Sequence, residues 1–138
     1  IPFTIHAGEA AGPESIRQAV DYGTARIGHG VNCIHDKNLM NIIAEKGITL
    51  ELCPTSNLNT KIVNDIKDYP IDKIINNKIK VTINTDNMTV SGTDEASEMK
   101  LICDTFGYDG NMRRIFVDNA IDAAFLSNEM KEKLRGNL

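Results

Sequence analysis

A long apolar run, an excess of basic charge and a disulfide framework are all missing from this chain. No stretch approaches the roughly 20 consecutive apolar residues that a membrane-spanning helix needs, so no membrane partner is expected. Fifteen Lys and Arg stand against 19 Asp and Glu, for a formal net charge of −4. That balance lacks the basic face of a phosphate-backbone reader, and no nucleic-acid partner is expected. The three cysteines, Cys33, Cys53 and Cys103, are odd in number and widely spaced, which argues against disulfides and for a reducing, cytoplasmic setting. No low-complexity segment or linker interrupts the chain, and no charged, apolar, small-residue series of signal-peptide type opens it. Its 138 residues, 41% hydrophobic and 25% charged, have the composition of one ordinary globular domain spanning 1–138. The opening Ile1-Pro2-Phe3-Thr4-Ile5-His6 lacks Met and begins directly in a strand-like stretch, so a fragment is expected.

Four short β-like runs alternate with helical patterns. Pro2–His6 is followed by a Gly-rich turn and a helix over Pro13–Tyr22, where Pro13 suits the first helical position. Arg26–Gly28 precedes a helix over Asp36–Lys46, capped by Asp36 and stopped by Gly47, with Leu39, Ile42 and Ile43 as its apolar stripe. Ile48–Leu52 runs into a polar loop, Cys53–Thr60, and then a helix around Ile71–Asn77. Val81–Asn84 is the fourth run, and everything after Thr93 reads as helix. Met99, Ile102 and Phe106 form one stripe there, and Phe116, Ala120 and Ala124 belong to the apolar face of a second helix. Such alternation implies parallel pairing with right-handed crossovers, in an open doubly wound sheet or in part of a (β/α)8 barrel. A whole barrel takes about 250 residues, so the barrel reading makes the chain half of one: about four βα units plus C-terminal helices.

Each run ends in a polar signature: His6-Ala7-Gly8-Glu9, Gly28-His29-Gly30, Cys53-Pro54-Thr55-Ser56-Asn57 and Thr85-Asp86-Asn87. In an α/β barrel the strand C-termini open onto one face, so these groups converge although they lie far apart in sequence. Taken singly, each also has an ordinary structural explanation. His6 can be a hydrogen-bonded core histidine, although Gly8 and Glu9 leave room beside it for a metal or substrate. Glu9 can be a first-turn carboxylate favoured by the helix dipole. His29, between two glycines, can be a turn histidine. Asp86 can close an Asx turn, although a carboxylate at the end of an apolar strand is poorly placed without a cation. Ser56, Asn57 and Glu51 are expected either to support the site residues or to cap strand ends, with capping the better reading, and His35, beside Asp36, as a solvated side chain.

Together, His6-Ala7-Gly8-Glu9, Arg26-Ile27-Gly28-His29-Gly30, Glu51-Leu52-Cys53-Pro54-Thr55-Ser56-Asn57 and Asn84-Thr85-Asp86 stand in the order found in adenosine deaminases. Over nearly its whole length the chain resembles the C-terminal half of that family's TIM barrel, with Asp118–Leu134 resembling the terminal helices. The resemblance implies zinc-dependent hydrolytic deamination of adenosine to inosine and ammonia. It makes His6 and Asp86 ligands of one catalytic Zn2+ and Glu9 the proton shuttle to purine N1. His29 and Asp86 would orient the attacking water and stabilise developing charge, while Gly8 and Asn87 would contact the purine. Many relatives carry Asp where Asn87 stands. Purine N7 is an acceptor, which an amide can meet as donor without being protonated first.

The family's His-x-His ligand pair has no counterpart in this chain. His6 and Asp86 supply two of the roughly three protein ligands a catalytic zinc site wants, so weak zinc binding and little deamination are expected of the chain alone. Half a barrel leaves two open parallel edges, which a second copy or an N-terminal fragment is expected to pair. Two other readings stay open: a catalytically silent scaffold, and a deaminase of adenine, AMP or an N6-substituted purine. The His-x-Glu and Pro-Cys-x-x-Cys signature of cytidine-type deaminases is absent. Gly28-His29-Gly30 fails the dinucleotide fingerprint at its final glycine.

Overall fold

The structure, a computed structural model, describes residues 1–137. Four parallel strands lie side by side in chain order: β1 (Thr4–Ala7), β2 (Arg26–His29), β3 (Thr49–Leu52) and β4 (Val81–Ile83). The register sets His6 opposite Gly28, Ala7 opposite His29, and Leu52 opposite Ile83. All four strands therefore finish at nearly the same level.

Between and after them come α1 (Pro13–Asp21), α2 (Lys37–Glu45), α3 (Pro54–Asn59), α4 (Ile71–Asn76), α5 (Met88–Ser91), α6 (Glu95–Phe106), α7 (Gly110–Ala123) and α8 (Asn128–Gly136). Short 3-10 turns cover Val31–His35 and Ile66–Asp68. Local chemistry places the helix starts. Pro13 occupies the first turn of α1, and the side chains of Asp36, Asp94, Asp109 and Ser127 accept from the backbone N–H three positions on in α2, α6, α7 and α8.

Alternation along the strands divides the sheet into two unlike faces. Ile27, Leu50, Leu52, Val81 and Ile83 form one core with Ile16 of α1, Leu39 and Ile43 of α2, Ile71 and Ile74 of α4, Ile102 of α6 and Phe116 of α7. Each such fully buried side chain contributes roughly 1.5–3 kcal/mol of hydrophobic stabilisation. The alternate positions are polar. Thr4 Oγ1 donates to Glu51 Oε2 at 2.9 Å, and Arg26 Nε lies 3.2 Å from Glu51 Oε1, which ties β1, β2 and β3 together. The Arg26 guanidinium also sits 3.8 Å from the centroid of the Phe125 ring.

Two expectations need correction. Cys53–Thr60 is not a loop but contains α3, because Pro54 starts a helical turn directly off the strand end. The segment after Thr93 is helical, as expected, and divides into α6, α7 and α8. Gly107, at φ +69°, turns the chain out of α6, and Ala124, in extended backbone, ends α7. Ala120 is exposed, and the inward face of α7 carries Phe116 and Ile121 instead. Among the described residues, no helix is long and apolar enough to cross a membrane.

Candidate active site

At the end of β1 the chain turns through Gly8, at φ +68°. A Cβ built there would lie 2.2 Å from Ile16 Cδ1, so any side chain collides with α1. The Gly8 N–H donates to Ser15 Oγ at 2.9 Å, and Glu9 follows, half-buried. At the ends of β2 and β4 stand two residues in left-handed backbone without being glycine, His29 at φ +64° and Asp86 at φ +57°. Such conformations cost on the order of 1–3 kcal/mol each and cluster at functional sites.

These turns bring three groups together. His29 Nε2 lies 3.5 Å from Glu9 Oε2 and 3.9 Å from Asp86 Oδ2. One ligand atom from each of Glu9, His29 and Asp86 falls within 4.8 Å of the others. His6 meets His29 edge-on, with ring centroids 5.2 Å apart. His6, His29, Glu51 and Asp86 all line a cavity of about 240 Å³. A larger hollow of about 490 Å³ lies at the strand starts, between Lys80, Phe125 and Asp122. There Asp122 is paired with Lys80 and Arg135, so it offers no free chemistry.

Burial pushes the His29 imidazole below its ordinary value, against the opposing pull of Glu9 and Asp86. The ring is therefore disposed to be neutral, able to donate from one nitrogen and accept at the other. Cys53, at the cavity wall, is driven up to about 12 by burial and by Asp86, Glu98, Glu51 and Glu9. A thiol held protonated in this way is a poor nucleophile and a poor ligand.

His6, Glu9, His29 and Asp86 form an imidazole and carboxylate set that suits zinc and similar divalent cations. Two carboxylates converge on a buried histidine with no lysine or arginine paired to either among the described residues, and a cation fits that vacancy of charge. The tightest trio is Glu9, His29 and Asp86, while His6 stands at the cavity wall against His29.

Asn87 caps α5: its Oδ1 accepts from Val90 N at 3.0 Å. The carbonyl is thereby occupied, and the NH2 is the end left to a ligand.

Ser56 and Asn57, expected as caps, lie inside α3 and hold the site from below. Ser56 Oγ donates to Asp86 Oδ2 at 2.8 Å, and Asn57 Nδ2 lies 3.2 Å from His29 Nδ1. Glu51 is not a cap either, but the bridge between Arg26 and Thr4. Two further residues carry no local signal at all. Tyr69 donates from its hydroxyl to Asn57 Oδ1 at 2.9 Å. Glu98 on α6, fully buried, accepts from Thr55 N at 3.1 Å and so anchors the start of α3. His35 is exposed, as expected.

The family model described as Adenosine deaminase matches residues 1–138. The adenosine deaminase of Haemophilus ducreyi is 45% identical over 138 residues, covering 100% of this chain and 40% of that protein. That of Clostridium perfringens is 42% identical, covering 96% of this chain and 40% of that protein. The chain thus spans about 40% of the length of these relatives. Among solved structures, an adenine deaminase from Arthrobacter aurescens superposes with a TM-score of 0.93 at 23% identity, over 97% of this chain and 41% of that one. The N6-methyl-AMP deaminase of Arabidopsis thaliana gives 0.86 at 29%, over 97% and 39%. An amidohydrolase from Burkholderia ambifaria with bound Zn gives 0.88 at 25%, over 99% and 39%. The four-stranded sheet is accordingly part of a barrel of the amidohydrolase type.

Proposed function

The chain belongs to the adenosine deaminase family, and from that premise we propose that it carries the proton-handling side of a site for hydrolytic deamination of an aminopurine, adenosine first. The observation that carries this reading is the meeting of Glu9, His29 and Asp86 within 4.8 Å at the ends of three strands.

The two protein groups that would hold a divalent cation are His6 and Asp86, and a cation there supplies a lowered pKa for water at neutral pH. Asp86, fixed by Ser56 Oγ, takes a proton from the attacking water while the oxygen bonds to C6. Glu9 gives its proton to N1 in the same event, and His29 Nε2 steadies the charge that develops on the oxygen. The amino group then takes the proton from Asp86 and leaves as ammonia. The hydroxyl proton at C6 returns to Glu9, leaving a carbonyl and restoring both carboxyl groups to their starting states. The Asn87 amide donates to N7.

Three further parts of the reading are proposals of the same kind. Strands beyond the open edges of β1 and β4 complete the barrel and bring the remaining cation ligands, whether from the same protein or a second copy. Asn119 Nδ2 already covers part of the β4 side, donating to Val81 O at 3.0 Å. A cytoplasmic setting accords with three free, buried cysteines.

The test is ammonia release from adenosine, adenine, AMP and N6-methyl-AMP, with zinc, by this chain alone and by a barrel-complete protein containing it. Turnover of adenosine by the complete protein only is the expected result. Turnover of another purine in its place would move the assignment, and none from a folded, zinc-loaded protein would refute it.

A further inference from the structure

Behind His29 runs a buried line of hydrogen bonds that the proposed reaction does not use. Tyr69 Oη donates to Asn57 Oδ1 at 2.9 Å, and Asn57 Nδ2 faces His29 Nδ1 at 3.2 Å. The three residues are 2%, 0% and 1% exposed, so water does not replace either bond.

An amide whose oxygen is taken by Tyr69 must turn its NH2 to His29. A donor facing Nδ1 requires a lone pair there, because two N–H groups cannot meet. A neutral imidazole then carries its proton on Nε2, the nitrogen 3.5 Å from Glu9 and 3.9 Å from Asp86. The opposite tautomer would set a lone pair against two carboxylates.

We propose that Tyr69 and Asn57 are positioning residues that fix the His29 tautomer, so that an Nε2–H is presented to Glu9, Asp86 and the attacking water. They touch no substrate and act only through His29. The consequence for rate rests on the deaminase reading, whereas the tautomer itself does not. Other second partners of site histidines choose the ring's tautomer in the same way, and an isosteric exchange at such a partner inverts it.

The test is 15N spectroscopy of the complete protein with labelled histidine, at mildly alkaline pH. The expected result for His29 is a pyrrole-type Nε2 and a pyridine-type Nδ1; the reverse pattern overturns the proposal. Asn57→Asp keeps the shape and places a carboxylate at Nδ1, so Nδ1 gains the proton. The kcat then falls roughly 100-fold or more, with KM within about two-fold of wild type. Tyr69→Phe frees the amide to turn and gives mixed signals with a smaller loss of kcat. An Asn57→Asp protein that retains the wild-type tautomer and kcat also overturns the proposal. The expected tautomer in a protein that releases no ammonia supports it while removing the deaminase reading.

Discussion

Gly28 faces His6 across the β1–β2 register, and a Cβ built on Gly28 would lie 2.6 Å from His6 Cδ2. The absence of a side chain at Gly28 is thus what lets the His6 ring lie against β2 at the sheet end. Gly28→Ala should push the ring out of the cavity. In the complete protein, zinc affinity measured by calorimetry is expected to fall roughly 10-fold or more. Unchanged affinity would mean that His6 holds no cation.

Ser56 is the one side chain that donates a hydrogen bond to the Asp86 carboxylate among the described residues, at 2.8 Å. Ser56→Ala should leave the fold intact, because only a hydroxyl is lost, yet release a carboxylate that must hold one rotamer. A fall in deamination of roughly 10- to 100-fold is expected from losing such a partner. Steady-state kinetics checks it, and full activity would show that Asp86 is held by other means.

Glu98 lies fully buried with one oxygen on Thr55 N and the other without a partner. Glu98→Ala strands the Thr55 N–H and opens a cavity between α6 and α3. A destabilisation of about 1–3 kcal/mol is expected, read from the urea midpoint. Glu98→Gln, which keeps an acceptor for Thr55, should lose less. Equal losses would show that packing, not the hydrogen bond, is what matters.

Burial moves the Cys33 and Cys53 thiols from an ordinary 9.0 to about 12. Both folded-state values are raised, so the stability they confer is complete below pH 9 and is lost as pH climbs toward 12. Over that window the unfolded chain releases protons that the folded chain keeps. Stability should decline by about 1.4 kcal/mol per pH unit for each thiol. Urea titrations across that range check the slope, and Cys33→Ala should lower it by about 1.4 kcal/mol per pH unit. A slope that Cys33→Ala leaves unaltered would contradict the assignment.

Much of this protein is legible in its residues. The strand runs, the Pro13 and Asp36 helix starts and the polar strand ends all depend on local preferences, which a short stretch of chain states by itself. His6, Gly8, Glu9, His29 and Asp86 come from motifs in a fixed order. Their meeting follows from parallel strands finishing at one level. The errors lie where local preference is weak. Cys53–Thr60 is polar enough to read as a loop, yet it folds as α3 because Pro54 and the buried Glu98 hold its first turn. Ala120 lost its inward place because Phe116 and Ile121 set how α7 rolls on the sheet.

The sequence by itself therefore determined the order of strands and helices, the acid and imidazole groups at their junctions, and the family they point to. Tertiary structure alone decided which atoms meet: Ser56 with Asp86, Asn57 with His29, Tyr69 with Asn57, and Glu98 with Thr55. The physical reason is that these bonds join residues 12 to 43 positions apart. Their partners are chosen by how α3 and α6 pack against the sheet, and hydrogen bonds of that kind leave no periodicity in the chain to be read.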